Sequence, residues 1–399
     1  MERLTLPDAA WRSRAGLAEL VRALGDGDAI RFVGGAVRDT LLGIDVADID
    51  IATRHAPEHI VDLLQAARIK AVPTGIAHGT ITAVIESGPV EVTTLRRDVS
   101  TDGRHAVVAF TDDWREDAAR RDFTINALYA DPVTGALFDY FGGIDDLACA
   151  RVRFIGDPLQ RIAEDHLRIL RFFRFLARFG DAADPAGLDA CIARANDLMA
   201  LSRERIADEL LKLLVATHAV RVLRLMVDRG VLMPVLPEIT AAGVDRLGSL
   251  ADREAASGIA PDPIRRLAAI LPPDPKVAEA IGARLKLSKV QRKRLISAAH
   301  PVDREAPALA YRIGQIEAID RLLLDQRIDP AAVIRLTDWT VPRLPITGGA
   351  LVARGIKAGP DVARLLRRIE EQWIEEGFPD AARVEQIADV QVREADSSV

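Results

Sequence analysis

The period of the apolar residues changes once along this chain, near residue 150, and that change constrains the fold more than any other feature. Upstream, short β-branched runs alternate with helical patterns. AIRFVGG (29–35), ADIDIAT (47–53), GTITAVIE (79–86) and VEVTTLR (90–96) read as strands, while AVRDTLLG and PEHIVDLLQAA carry helical spacing. Gly88 and Pro89 mark the turn between the last two strands. Downstream, β-rich runs nearly vanish, and segments from QRIAEDHLRILRFFRFLARF (160–179) to DVARLLRRIEEQWIEEG (361–377) repeat at helical spacing. The expected fold is α+β: a head with a mixed β-sheet, then an all-helical neck, body and tail. The expected boundaries are a helical segment at 1–29, the head at 30–147, the neck at 148–215, the body at 216–330 and the tail at 331–399.

The 399 residues are enough for two or three domains. Apolar residues make up 49% and aromatics only 5%, so the core must be mostly aliphatic. Two cysteines, Cys149 and Cys191, form no metal-ligand spacing and point to a reducing, cytoplasmic setting. The N-terminal stretch has no signal-peptide h-region, and no apolar run approaches the ~20 residues needed to span a bilayer, so no membrane association is expected. The net charge of −6 does not exclude a polyanionic partner, because charge acts within a Debye length of roughly 8–10 Å. Arginines crowd residues 151–180, and a second basic run covers 284–295.

Within ADIDIAT, Asp48 and Asp50 stand two apart in a strand pattern, so both face one way while Ile49 and Ile51 face the other. At about 5 Å and an effective dielectric near 20, two such charges repel by roughly 3 kcal/mol. A divalent cation with a preference for hard oxygen ligands, such as Mg²⁺, would relieve that repulsion. A solvated strand end would screen it instead.

The preceding VGGAVRDTLLG (33–43) lacks both GK[ST] and GxGxxG, so it is neither a P-loop nor a dinucleotide fingerprint. Gly34 and Gly35 permit close backbone approach, the helix start offers N–H groups to an anion, and Arg38 in the first turn can fork onto a phosphate. A strand–Gly–Gly–helix element is also common punctuation. The combination says more. Glu91, alternating with Val90 and Val92, is placed to face the same site as the two aspartates. Three carboxylates beside a phosphate-binding turn are what metal-assisted nucleotidyl transfer needs, although Glu91 is equally readable as an exposed strand residue.

Three motifs in order, VGGAVRDTLLG…ADIDIAT, then RRDFTINALY, then EDHLRILRFFRF, resemble the class II tRNA nucleotidyltransferase and bacterial poly(A) polymerase superfamily. The resemblance is dense over residues 30–180 and continues weakly to PITGGALVARGIKAGPDVARLLRRIEEQW, which is similar to the tail of CCA-adding enzymes. It implies a nucleotidyltransferase head in which Gly35 and Arg38 contact the triphosphate and Asp48 and Asp50 bind two Mg²⁺ ions. It further implies that Arg121, Asp165 and Arg168 form the nucleotide site, with Arg171 and Arg174 as further contacts.

Base chemistry agrees with that assignment. Cytosine and adenine each present an amine donor beside a ring-nitrogen acceptor, which suits an aspartate beside an arginine. Guanine and uracil present the reverse order. In DNA readout such a bidentate pair discriminates by ~1–3 kcal/mol. Asp165 and Arg168 are expected one helical turn apart. On the same helix Arg171, Arg174 and Arg178 fall together, away from Ile169, Phe172, Leu176 and Phe179, which reads equally as a solvated basic face. The polar stretch between TTLRR and RRDF, with Gly103 and His105, corresponds to a flexible loop that in CCA-adding relatives helps the site switch from C to A. No His-Asp dipeptide occurs, so the metal phosphohydrolase domain of some relatives is not expected.

The resemblance thus implies addition of CCA to tRNA from CTP and ATP, with the helical arm reading the acceptor–TΨC stack by shape and phosphate contact. A poly(A) polymerase is the alternative within the superfamily, although the mildly acidic C-terminus lacks the basic extension such enzymes often carry. A catalytically silent RNA-binding protein on the same fold is the alternative outside it.

Overall fold

The computed structural model describes residues 4–25, 28–102 and 105–396. Two compact units divide at residue 237. The first opens with helix α1 (Leu17–Leu24), whose Leu17, Leu20 and Leu24 are buried. A mixed sheet then forms from β1 (Ile30–Val33), β2 (Asp50–Thr53), β3 (Lys70–Gly75), β4 (Thr80–Ile85) and β5 (Gly88–Thr94), closed by β8 (Leu128–Ala130) and β9 (Leu137–Asp139). Its order is β3-β4-β5-β2-β1-β8-β9, and only β2–β5 is parallel. That pairing sets Asp50 opposite Glu91. Helices α2 (Gly35–Leu41) and α3 (Pro57–Ala66) link strands, α3 starting on Pro57, whose missing N–H costs nothing in a first turn.

Strands β6 (Arg96–Asp102) and β7 (His105–Phe110) form a separate hairpin, followed by α4 (Trp114–Ala119). The segment expected as a flexible loop therefore has regular pairing on both sides of Gly103, which lies outside the described residues. The β4–β5 turn falls on Glu86 and Ser87, two positions earlier than expected. Ile85 pairs with Gly88, so Gly88 and Pro89 begin the strand, where proline is tolerated.

After α5 (Gly143–Ala148) the described chain is almost entirely helical: α6 (Pro158–Glu164), α7 (Leu167–Phe179), α8 (Pro185–Ala193), α9 (Arg203–Leu214) and α10 (Ala219–Asp228). The apolar side of α7 is buried through Ile169, Leu170, Phe172, Phe173 and Leu176, each side chain contributing about 1.5–3 kcal/mol of transfer free energy. Phe172 stacks on Phe154, and Phe123 packs against both, which ties the helix to the RRDF segment. The run 160–179, continuous in periodicity, is broken. Asp165 is extended (φ −151°, ψ 107°), and its carboxylate accepts the Leu167 N–H at 3.1 Å to start α7.

The second unit has ten helices among the described residues, from Ala241–Ala256 to Ala381–Asp396. Several begin on an aspartate cap followed by proline, as at Asp262, Asp274 and Asp329. One cluster packs Leu351, Leu365, Ile369, Val384 and Ile387 around Trp373. Elsewhere the buried Arg265 pairs with Glu254 at 2.7 Å and with the fully buried Asp320 at 2.9 Å. No described helix is long and apolar enough to cross a membrane.

Candidate active site

The turn from β1 into α2 fixes the centre of the site. Gly34 has φ +67° and ψ −118°, a conformation open only to glycine, and its N–H donates to Leu128 O. A Cβ on Gly34 would stand 3.6 Å from Nη1 of Arg121, and one on Gly35 would stand 3.9 Å from Nη2 of Arg38. Two guanidiniums thus flank a backbone kept bare.

Strand β2 begins at Asp50 rather than Ala47. Asp48 precedes the ladder because β1 pairs only with Ile51 to Thr53. The alternation survives: Ile49 and Ile51 are buried, Asp48 is exposed and Asp50 is half-buried. Burial, then the charge of Glu91, then that of Asp48 push the Asp50 carboxyl up to about 6, against the opposing pull of Arg121. Arg121 therefore acts electrostatically on Asp50 as well as standing beside the glycine turn. Glu91 is exposed and one strand over.

Among the described residues no three His, Cys, Asp or Glu side chains form a closed metal cage. An open acidic pair is nonetheless the form that suits Mg²⁺, which keeps waters and takes substrate phosphates as ligands. The unrelieved charge on Asp50 is the observation that fits a cation here.

Arg121 is held by Asp117 at 3.1 Å and by the Tyr129 hydroxyl at 3.3 Å. Asp117 also accepts from Arg120 and Tyr129, both within 2.8 Å. Burial opposes its ionisation, but Arg121 and Arg120 outweigh burial and hold the carboxyl well below its usual range. Arg38 is almost fully buried. Its guanidinium donates to Asp39 and to Asn126 Oδ1, and lies 5.2 and 4.6 Å from the ring centres of Phe175 and Phe179. Asn126 in turn donates to Asp122 at 3.0 Å, and Asp122 accepts from Arg171 at 2.7 Å.

The arginine face of α7 is not a solvated stripe. Arg171 pairs with Asp122, Arg174 with Glu209 and Arg178 with Asp39. Asp165 and Arg168 do not lie one turn apart on a single helix, because Asp165 sits in the break that the cap at Leu167 creates. Each is held separately. Arg205 Nη2 reaches both oxygens of Asp165 at 3.0 and 2.8 Å. Arg168 donates to Glu164 and to the carbonyls of Arg161 and Arg120. Three of its five N–H donors are thus engaged, leaving two.

Sequence reasoning missed the supporting set: Asp39, Asp117, Asp122, Asn126, Arg205 and Glu209. Asp122 and Asn126 were within reach, being four residues apart in RRDFTIN.

Comparisons with known proteins agree with this geometry. The chain matches the poly A polymerase head domain over residues 30–153, and the family described as a probable RNA and SrmB-binding site of polymerase A over residues 184–242. A glycine turn, an acidic strand and an arginine-bearing neck on such a head define a nucleotidyltransferase. Mitochondrial CCA tRNA nucleotidyltransferase 1 of Homo sapiens is 38% identical over 371 residues, 88% of this chain and 83% of that protein. The CCA-adding enzyme of Oceanobacillus iheyensis is 40% identical over about half of each chain. The chain belongs to the class II CCA tRNA nucleotidyltransferase family. In fold it is similar to the Bacillus stearothermophilus CCA-adding enzyme in complex with CTP, with a TM-score of 0.75, 24% identity and coverage of 96% and 98% of the two chains. The Thermotoga maritima enzyme complexed with tRNA gives a TM-score of 0.65 at 20% identity, over 92% and 91% of the two chains. Enzymes of this fold generally use a divalent metal.

Proposed function

We propose that the protein builds the 3′-terminal CCA of tRNA from CTP and ATP. In each round the RNA 3′-hydroxyl attacks the α-phosphorus, the bond to the bridging oxygen of the β-phosphate breaks, and pyrophosphate leaves. The observation that carries this reading is that Arg121 acts on Asp50, whose carboxyl is pushed up to about 6 beside Glu91 and Asp48, and also stands beside the bare Gly34 turn.

Asp48 and Asp50 would hold two Mg²⁺ ions, with Glu91 adding negative charge from the neighbouring strand. When bound, such ions lower the pKa of an attacking hydroxyl and neutralise charge on the leaving oxygen. The residues of this chain do the rest. Gly34 and Gly35 let the phosphates approach the backbone, while Arg38 and Arg121 supply positive charge on either side of the turn. Asp117 and Tyr129 fix Arg121 in place, and Asn126 and Asp39 fix Arg38. Arg171 and Arg174 border the nucleotide from α7, each braced by a carboxylate.

Asp165 and Arg168 read the base. The Asp165 carboxylate, positioned by Arg205, accepts from the exocyclic amine of C or A, and the two remaining Arg168 donors serve the ring nitrogen. Cytosine and adenine satisfy both groups. Uracil and guanine set acceptor against acceptor and donor against donor, at about 1–3 kcal/mol per mismatch. The helical arm binds the acceptor stem and TΨC region through phosphate and shape. Two unpaired cysteines suit a reducing compartment, and we assign the cytoplasm.

The test uses tRNA transcripts ending before CCA, after C and after CC, each supplied with Mg²⁺ and single nucleotides, then CTP with ATP. Addition that runs C, C, A and halts supports the reading. Long A-tails regardless of the RNA end would make the protein a poly(A) polymerase. Bound tRNA without incorporation would make it an RNA-binding protein.

A further inference from the structure

The neck carries a second basic feature. Where α7 runs past the end of α9 and the turn into α10, Arg174, Arg178, Lys212, Val215, Ala216 and Thr217 line a cavity of about 410 Å³. Three of those six residues are cations and none is an acid. The carboxylates that pair with them, Glu209, Asp39 and Asp208, are not part of the lining. The positive charge therefore faces the cavity and its compensation stands outside. Arg174 and Arg178 are four apart on one helix, a spacing at which like charges repel. Their excess reaches further: burial first, then Arg178 and Arg174, hold the Arg38 guanidinium below its usual value despite Asp39. The wall of the cavity is cationic, with no carboxylate in its lining.

Which anion follows from position. Arg178 lies seven residues beyond Arg171, or about 10 Å along the helix. A nucleotide between Asp165 and the Gly34 turn already has partners for its base and its phosphates. The anion left without one is a phosphodiester of the strand being extended. We infer that the cavity between α7, α9 and the α10 turn binds a backbone phosphate of the RNA strand near its 3′ end, with Arg178, Lys212 and Thr217 as a strand-holding subsite. This rests on the RNA-extending reading above.

Lys212 is the residue to change. Its side chain is 55% exposed, among the described residues it bonds only to Asp208 one turn away, and it has no part in the nucleotide site. In full-length protein, Lys212→Glu should raise KM for a tRNA transcript ending before CCA by tenfold or more while leaving KM for CTP within twofold. Lys212→Ala should give a smaller rise and Lys212→Arg the wild-type value, all three with unchanged melting temperature. Direct binding of the same transcript across salt concentrations should show a log–log slope shallower by about one in Lys212→Ala, the signature of one lost phosphate contact. Unchanged transcript affinity and slope would overturn the assignment. A raised KM for CTP with unchanged transcript affinity would also overturn it, by giving the cavity to the nucleotide's phosphates. Wild-type protein that binds the transcript without extending it would refute the proposed activity, while the salt comparison would still decide the cavity.

Discussion

Replacing Asp50 by Asn should make the metal-free protein more stable at neutral and alkaline pH while ending its activity. The magnitude follows from the carboxyl's environment. Its ordinary value is 3.8, and burial, Glu91 and Asp48 push it up to about 6. That rise corresponds to at most about 3 kcal/mol, and residual solvent screening brings it to about 1–3 kcal/mol. A group whose folded-state value is raised contributes stability that is fully present below about 4 and is lost as pH rises through about 6. Above that range the wild-type fold carries the whole cost of ionised Asp50, whereas the amide carries none. The assay is urea unfolding in the presence of a chelator, followed by the fluorescence of Trp11 and Trp114, both buried in the first unit. At pH 8 the variant should exceed wild type by about 1–3 kcal/mol, and by about pH 3 the difference should vanish. A variant less stable than wild type at pH 8, or a gap independent of pH, would refute the reasoning.

Asp48→Ala should reduce nucleotide incorporation at least a thousandfold with tRNA binding intact, checked by single-turnover extension beside a binding assay. Gly34→Ala forces a Cβ onto a backbone at φ +67°, at about 1–3 kcal/mol, and should lower the melting temperature and raise KM for CTP together. Arg205→Ala releases the Asp165 carboxylate, so the ratio of kcat/KM for CTP over UTP should fall by roughly 5- to 150-fold, the equivalent of about 1–3 kcal/mol. In the second unit, Glu254→Ala removes one of the two carboxylates paired with the buried Arg265, and the one paired with the buried Arg266, and should cost about 3–5 kcal/mol in denaturant unfolding.

What the sequence made legible depended on range. Features set by local pattern are visible in it: the glycine pair before α2, the alternation at Ile49 and Ile51, and the apolar stripe of α7. The break at Asp165 is not, since apolar spacing runs across it unbroken and the interruption comes from one side chain capping Leu167. The condition of the α7 arginines was hidden for a different reason. Their carboxylates are distant in the chain, Glu209 being 35 residues from Arg174, Asp122 49 from Arg171, and Asp39 139 from Arg178. A helical wheel shows which face carries charge but not what stands opposite. Arg38 illustrates the same limit: its place in the first turn suggests a free fork, yet Asn126, 88 residues away, occupies it.

The lone parallel pairing in the sheet has a kinetic consequence. Every other strand pair of this sheet is antiparallel, and several close through short connections, but β2 and β5 meet only after helix α3 and two further strands have been spanned. Closing such a crossover costs more loop entropy than closing a hairpin, which slows it. Asp50 and Glu91 come opposite each other only when it closes. Their repulsion is therefore a cost of the assembled sheet, absent from the β4–β5 hairpin that carries Glu91 alone.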